Sequence, residues 1–544
     1  MLKKLLTVSF LVLWALPALA EMVVDTAWVR RYNGPADSAD CALAIAIDSP
    51  GNVYVTGLSQ GQGTYNDYAT IKYDPNGNEL WVARYNGPGD SDDQAYDMTV
   101  DSSGNVYVTG RSVGSGTSWD YATIKYDSSG NQLWVSRYNG PDDWWDISCA
   151  VAVDNSGNVY VTGSSVGHGS YIDGYDYATI KYDANGNELW VQRYNGPKDL
   201  LDCPRGLVLD AFNNVYVTGI SFDTVANGMV YKTDYATIKY NASGSQVWVK
   251  RYNGPANGIA YANALAIDAL GNVYVTGTSD DNGTWSDYAT IKYDSSGNQV
   301  WVRRYTGLGG MAMDVACAIA VDASNNVYVT GYSRQNTSVP YNSDYATIKY
   351  DSSGNQLWVK RYNGILDIDD EARAIAVDDS GTQNLDDEAR AIAVDDSGNV
   401  YVTGVTEYSW GSGTSDDYAT LGYDADGVEL WLFKYDGPAY SSDEAYAIAA
   451  DESGNVYVTG YSFGIGSNKD YATIKYFQAL RGDTDGDGVI DVLDIIYLIT
   501  YLYKNGSAPQ SSEVGNVNCD EVVDIGDVVY LINYVLKEGP PPDC

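Results

Sequence analysis

Apolar and polar positions along this chain fall into four short runs that return in a fixed order. The first is alanine-rich, as in Ala44 to Ile47 or Ala318 to Val321. The second reads NVYVTG and opens at Asn52, Asn105, Asn158, Asn214, Asn272, Asn326, Asn399 and Asn455. The third reads DYATIKY, from Asp67, Asp120, Asp176, Asp234, Asp287, Asp344, Asp417 (as DYATLGY) and Asp470. The fourth has the form W-x-x-[RK]-Y-[NTD]-G, as in Leu80 to Gly87. β-Branched and aromatic residues dominate all four, as a pleated, packed surface requires, so each run predicts a strand. Both faces of these strands are rather apolar, the pattern of a sheet lying between neighbouring sheets. Recurrence about every 50 to 60 residues marks a repeat architecture.

Two kinds of connection alternate. D-x-x-G-N turns join runs one and two, and runs three and four, as at Asp101 to Asn105, Asp127 to Asn131 and Asp294 to Asn298. Glycine there supplies a positive φ, and the Asp side chain caps the turn. The other connections are longer and variable, such as Leu58 to Asn66 and Val166 to Tyr175. In a four-stranded meander the long loops share one face, where recognition would reside.

The chain begins with a fourth run that lacks its first three, at Trp28 to Pro35. Its last unit ends at Tyr476 without a fourth run. The two pieces make one whole unit, which predicts a closed ring with the N-terminal strand paired into the last blade, removing the exposed edge. One irregularity interrupts the series: DDEARAIAVDDSG occurs at Asp369 to Gly381 and again at Asp386 to Gly398. One copy is expected on the ring axis and the other looped out.

Charge narrows the functions. Of 544 residues, 32 are basic and 72 acidic, a net charge of −40. That field opposes nucleic acid and anionic membranes and favours cations. The single histidine, His168, sits in a Gly/Ser loop and reads as solvated, so a histidine-based metal centre is excluded. The loops before the first run are acidic: Asp37 and Asp40; Asp90, Asp92 and Asp93; Asp142, Asp143 and Asp146; Asp369, Asp370 and Glu371. They read either as a solvated rim or as a cation or carbohydrate site at the ring mouth. Trp119, Trp144, Trp145, Trp285 and Trp410 lie in these long loops and could stack on sugars or cap the ring.

Lys3 and Lys4, an apolar stretch from Leu5 to Leu16 and Ala18-Leu19-Ala20 predict a signal peptide over residues 1–20. The mature chain is therefore expected to be secreted, extracellular or attached to a cell surface, with no membrane span. Cys41, Cys149, Cys203 and Cys317 read as buried thiols, because equivalent positions in blades that are not neighbours lie too far apart to bridge.

The NVYVTG and DYATIKYD-x-x-GN-x-LWV strings resemble the SBBP family of bacterial β-propeller repeats, nominally seven-bladed. The resemblance implies a mainly β fold: here an eight-bladed β-propeller of four-stranded blades over residues 21–477, closed by the N-terminal strand. It supplies no activity, since the fold hosts many.

Composition changes at Arg481. From Asp483 the chain reads DTDGDGVIDVLD, placing acidic oxygens at loop positions one, three, five, nine and twelve: Asp483, Asp485, Asp487, Asp491 and Asp494. Gly488 at position six permits a sharp turn and Val489 offers its carbonyl. Ca²⁺ takes six to eight hard oxygens, which this spacing wraps round one centre. A helix follows with Ile495, Ile496, Leu498, Ile499 and Leu502 on its apolar face. The pattern returns as Asn516, Asn518, Asp520, Asp524 and Asp527, with Glu521 at position six, which predicts a second, weaker Ca²⁺ site. Cys519 and Cys544 are expected to form a disulfide that pins the chain end.

Paired half EF-hands of this kind, over residues 478–544, resemble a type I dockerin: a small α-helical module with two EF-hand-like loops. The resemblance implies Ca²⁺-dependent folding and docking to a cohesin-like partner. Specificity at loop positions ten and eleven would fall on Val492-Leu493 and Ile525-Gly526, which are not the Ser-Thr type of the best-known cellulosomal pairs.

The reading favoured on these grounds is a secreted, non-catalytic binding or scaffold protein. Its propeller recognises a carbohydrate or protein, and its dockerin attaches it to an assembly. The alternative is a tethered polysaccharide hydrolase or lyase acting on the loop face. The sequence singles out no catalytic pair of carboxylates.

Overall fold

The computed structural model describes residues 22–167, 174–226, 229–281, 284–307, 313–334, 343–362, 388–410, 413–451, 453–486, 489–504, 506–520, 522–537 and 539–542. The chain divides into two units, Trp28–Lys475, and Met1–Ala27 with Tyr476–Cys544.

Among the described residues the strands form eight four-stranded sheets. Seven are continuous in sequence; the first uses Asp40–Ile47, Val53–Gln60, Asn66–Tyr73 and Glu79–Tyr85 in that order. The eighth runs Met22–Tyr32, Lys469–Leu480, Val456–Phe463, Asp443–Ala450. The first strand of each sheet packs on the first and second strands of the sheet before it. For Asp40–Ile47 those are Asp443–Ala450 and Val456–Phe463 of the eighth. The eight sheets are thus the blades of a β-propeller, with the alanine-rich strands innermost.

The second and third strands are buried on both faces, as the apolar pattern predicts. Tyr54, Val55, Tyr68 and Ile71 have no exposed surface. The glycine of NVYVTG has a steric reason. The inner strand carries a bulge between Ala42 and Ala44, and a Cβ on Gly57 would lie 2.0 Å from the carbonyl oxygen of Cys41. On the outer strand Trp81 sits between Tyr54 of its own blade and Tyr126 of the next, with ring centroids 6.1 and 6.2 Å away. Its Nε1 donates to the carbonyl of Ser128, 3.1 Å away, in the next blade's turn. Leu80 beside it is 52% exposed, because the outer strand is the free edge of the blade.

Each D-x-x-G-N turn is locked by one carboxylate. Asp101 accepts from the backbone N–H groups of Ser103 and Asn105 (both 2.9 Å), from Asn105 Nδ2 (2.8 Å) and from the Tyr107 hydroxyl (2.9 Å).

Two polar circuits join strands and blades. The tyrosine of DYATIKY donates to the alanine carbonyl of the same motif in the next blade. The series runs from Tyr68 to Ala122 (3.1 Å), on to Tyr418 and Ala472 (3.2 Å), and then from Tyr471 back to Ala69 (3.1 Å). In seven blades the motif's Asp pairs with the outer-strand arginine, as in Arg84–Asp67 (2.9 Å), Arg137–Asp120 (2.8 Å) and Arg31–Asp470 (2.8 Å). Arg137 also donates to Ser112 Oγ (2.6 Å) and to the Tyr85 hydroxyl of the preceding blade (3.0 Å).

Two expectations for the ring change. The acids before the inner strand are not one solvated set. Asp37 and Asp90 are exposed, but Asp40, Asp93 and Asp146 are buried and accept a glycine N–H at 2.6–2.7 Å. Burial pushes Asp146, Asp202 and Asp314 up to about 6. The four propeller cysteines are in no disulfide but are half-buried, since the inner strand's alternate residues line the axis. Burial still pushes the Cys41 and Cys149 thiols up to about 12. Of the duplicated stretch, Glu388–Val394 of the second copy forms the inner strand of blade seven. The first copy lies outside the described residues, as do His168, Asp369, Asp370 and Glu371.

In the smaller unit, α1 (Val492–Lys504), α2 (Ser512–Gly515) and α3 (Ile525–Lys537) are the helices among the described residues. Ile495, Leu498, Val517, Val528 and Leu531 form its core. Ile496, expected on the apolar face, is 53% exposed: it falls off the stripe that 495, 498, 499 and 502 share. Cys519 is disulfide-bonded, and Cys544, its expected partner, lies outside the described residues. No described helix is long and apolar enough to cross a membrane.

Candidate functional site

Two places gather chemistry: the acidic loops of the smaller unit and the long-loop face of the ring.

The first acidic loop brings three of its predicted residues together. Asp483, Asp485 and Asp494 each place a carboxylate oxygen within 4.8 Å of the others. Asp494 has no exposed surface and Asp483 only 3%. Asp494 accepts the backbone N–H of Thr484 (2.6 Å) and Asp485 (3.2 Å) on one oxygen, and of Asp491 (2.7 Å) on the other. Burial raises its pKa, and those three bonds oppose the rise. Asp491 accepts from Leu493 N (2.6 Å) at the start of α1. Asp487 and Gly488 lie outside the described residues.

The second loop repeats this frame. Asp527, fully buried, accepts from Val517 N (2.7 Å), Asn518 N (3.1 Å) and Asp524 N (2.8 Å). Asp524 accepts from Gly526 N (2.6 Å) at the start of α3. Asn516 and Asn518 both turn their Oδ1 to Asp520 N (3.1 Å each). The left-handed residue found in both loops is at position four: Gly486 (φ +79°) and Cys519 (φ +63°). The residues at position six, Gly488 and Glu521, lie outside the described residues. A non-glycine in that region costs roughly 1–2 kcal/mol, a local strain on the second loop. Hard oxygens on a fixed backbone frame fit Ca²⁺ rather than a soft metal.

On the ring's loop face an aromatic ledge stands at blades two and three. Trp119 and Trp145 pack with centroids 4.8 Å apart, and the Arg111 guanidinium lies 3.9 Å from the Trp119 ring centroid. Arg111 is held by Asp92 at 3.0 Å, and Asp92 also accepts from Asn66 (2.8 Å). Trp144 beside them is 49% exposed. The side chains of Trp285 and Trp410 lie outside the described residues. On the inner strand of blade two, Asp97 replaces the usual small residue. It accepts from Val151 N (2.8 Å) and Met98 N (2.9 Å), and burial pushes it up to about 7.

The opposite face holds an open cavity of about 420 Å³ between blades eight and one, lined by Asp48, Pro75, Asp451, Tyr457 and Lys475 among others. Both carboxylates there are committed to their own turns: Asp48 to Asn52 and Tyr54, Asp451 to Asn455 and Tyr457.

Four segments match the model of the SBBP family, described as a beta-propeller repeat: residues 80–116, 247–283, 381–407 and 434–465. The chain is a β-propeller bearing SBBP repeats. It is also similar to an uncharacterized WD repeat-containing protein of Acanthamoeba polyphaga mimivirus, 25% identical over 440 residues and 66% of this chain. The match spans about a third of that relative's length, 30%. Among solved structures, a PL25 ulvan lyase bound to an oligosaccharide shares 11% identity at a TM-score of 0.38, over 82% of this chain and 95% of that one. A protein of unknown function from Dyadobacter fermentans shares 11% at a TM-score of 0.33, over 60% and 93%.

Proposed function

We propose that this is an exported binding protein: the propeller's loop face recognises a carbohydrate, and the C-terminal unit is a Ca²⁺-dependent dockerin-type module that attaches it to a cohesin-like partner. The observation that carries the reading is the matching pair of frames. Asp494 and Asp527 each accept the same set of backbone N–H groups, 33 residues apart, and each set opens a helix of 13 residues. Asp483, Asp485, Asp487, Asp491 and Asp494 would hold one Ca²⁺, and Asn516, Asn518, Asp520, Asp524 and Asp527 a second, weaker one. With Asn at two positions, the second loop offers less charge to the ion. Docking by this unit is supported by its exposed apolar residues at loop positions ten and eleven: Val492 (45% exposed), Leu493 (53%) and Ile525 (49%).

Carbohydrate is favoured over protein by the ledge of Trp119, Trp144 and Trp145 with its stacked arginine, since flat aromatic faces flanked by charged hydrogen-bonding groups suit sugar rings. We further read Trp28 to Tyr32 as the clasp of the ring. Arg31 pairs with Asp470 at 2.8 Å and donates to Ser462 Oγ at 2.5 Å, the contacts Arg137 makes within its own blade.

The test is a glycan array probed with the full chain, followed by pull-down of a cohesin panel with and without EDTA. Binding to a polysaccharide that Trp144→Ala abolishes, and capture by a cohesin only with Ca²⁺, are expected. Ca²⁺-independent capture would refute the docking half. Turnover of the bound polysaccharide would replace the binding reading with an enzymatic one.

A further inference from the structure

The loop face repeats one socket. In seven blades an outer-strand arginine fills it. Arg84 is typical: it meets Asp67 at 2.9 Å, Ser59 Oγ at 2.6 Å and the Ser59 carbonyl at 2.8 Å. Blade seven departs from this at linked positions. Lys434 stands in place of the arginine. Asp436, two residues on, stands where most blades have asparagine. In DYATLGY the lysine of the motif is Gly422, and a Cβ there would lie 2.5 Å from Trp431.

The acceptors of the socket remain. Asp417 is 7% exposed and Thr406, its cross-strand partner, 1%. Asp417 Oδ1 is buried without a hydrogen-bond partner, as is the same oxygen of Asp67, Asp120, Asp287, Asp344 and Asp470; what sets blade seven apart is Thr406 Oγ1, buried and unpartnered where Ser59 and Ser112 each accept from their arginine. Among the described residues no Lys or Arg nitrogen forms an ion pair with Asp417, whereas the equivalent Asp120 and Asp470 each have theirs. Two further carboxylates come in: one oxygen each of Asp417, Asp436 and Asp443 lie within 4.8 Å of one another. Asp443, on the inner strand of blade eight, is fully buried and accepts from Gly437 N (2.5 Å) and Phe463 N (3.0 Å). Lys434 and Asp416 are the other charges that act on Asp417. Asp436 is exposed, while Asp417 and Asp443 are buried; three carboxylates against one lysine leave a surplus of negative charge where a guanidinium sits elsewhere, and for the two buried ones charge without a counter-charge is costly.

We propose that the junction of blades seven and eight is a binding site for a hard divalent cation, Ca²⁺ by its all-oxygen donors, held by Asp417, Asp436 and Asp443 with the Thr406 hydroxyl at its edge. The ion takes the place of the missing guanidinium and ties the two blades together. Carboxylate and hydroxyl oxygens select Ca²⁺, Mg²⁺ or Mn²⁺ over softer metals.

The test counts ions on the full chain. ⁴⁵Ca²⁺ equilibrium dialysis compares the natural protein with a Lys434→Arg/Asp436→Asn variant, which restores the residues of the other blades and so keeps the fold. The variant should bind one Ca²⁺ fewer. The comparison is repeated with Asp494→Asn and Asp527→Asn present, so that the C-terminal loops cannot contribute. One ion should then remain, and Lys434→Arg/Asp436→Asn should remove it. Equal stoichiometry with and without the blade-seven changes, in either background, overturns the proposal. A failure of the C-terminal loops would appear separately, as no loss on changing Asp494 and Asp527.

Discussion

In the ring, Asp120 meets Arg137 at 2.8 Å inside a blade; in the C-terminal unit, Asp494 and Asp527, equally buried, are met by backbone N–H groups at 2.6–3.2 Å. Both regions are built from repeated acidic motifs, yet they balance their charge differently. The ring carries its counter-charges in the chain, one arginine in each of seven blades, and adds a hydrogen-bond circuit from each blade to the next. The acidic loops supply dipoles but no cation of their own, so their remaining charge is left for an ion. A ring neutralised by its own arginines in seven blades should stay folded on chelation, whatever it loses at the junction of blades seven and eight, and an acidic loop should not.

Chelation gives the largest contrast. EDTA should abolish the helical circular dichroism of the C-terminal unit while the ring's melting transition persists, and Asp494→Ala should reproduce the loss. Coincident melting of both units, or neither responding, would erase the distinction. Next, Arg137→Met should cost the ring about 3–5 kcal/mol, because Asp120 is left buried and charged. Arg137→Met combined with Asp120→Leu should recover most of that loss in urea denaturation. If the single change is neutral, the pairs are not what neutralises the ring.

The circuit between blades is weaker per bond. Tyr68→Phe, which removes the bond to the Ala122 carbonyl, should cost roughly 1 kcal/mol without altering the sheet signal. Asp97 is an acid the ring leaves without a cation, and it sharpens the comparison through pH. Its carboxyl is pushed up to about 7 by burial, so the folded state binds its proton more tightly than the unfolded chain does. Asp97→Asn should therefore stabilise the protein by roughly 1–2 kcal/mol at pH 8, and the gain should fade as pH drops through 7 and vanish below about 4. An unchanged difference across that window would place the titration elsewhere. Smallest of all on stability, Trp144→Ala should move the midpoint by less than about 0.5 kcal/mol while removing polysaccharide binding.

Much of the fold could be read from local pattern. NVYVTG and DYATIKY predict buried strands because nearly every position is β-branched, aromatic or small, and D-x-x-G-N predicts turns because one carboxylate and one left-handed glycine suffice. The acidic spacing of 483–494 likewise points at Asp483, Asp485 and Asp494 before any coordinates are known. The same reading could not see the partner of Tyr68, which lies 54 residues on in another blade. Nor could it see that Leu80 faces solvent. The break in blade seven was visible as separate substitutions, among them Lys434 and Asp436; only the corner these two share with Asp417 gives them one meaning.

The sequence by itself determined the repeat, the strand and turn assignments, the acidic loops and their candidate ligands, since each depends on a few residues adjacent in the chain. Tertiary structure decided which acids are buried. Asp37 and Asp40 stand three residues apart in one acidic loop, yet Asp37 is exposed and Asp40 is buried, accepting from Gly34 N at 2.6 Å. The cause is packing: a carboxylate's counter-charge and solvent come from whichever strand, turn or neighbouring blade closes over it, and no local pattern encodes that neighbour.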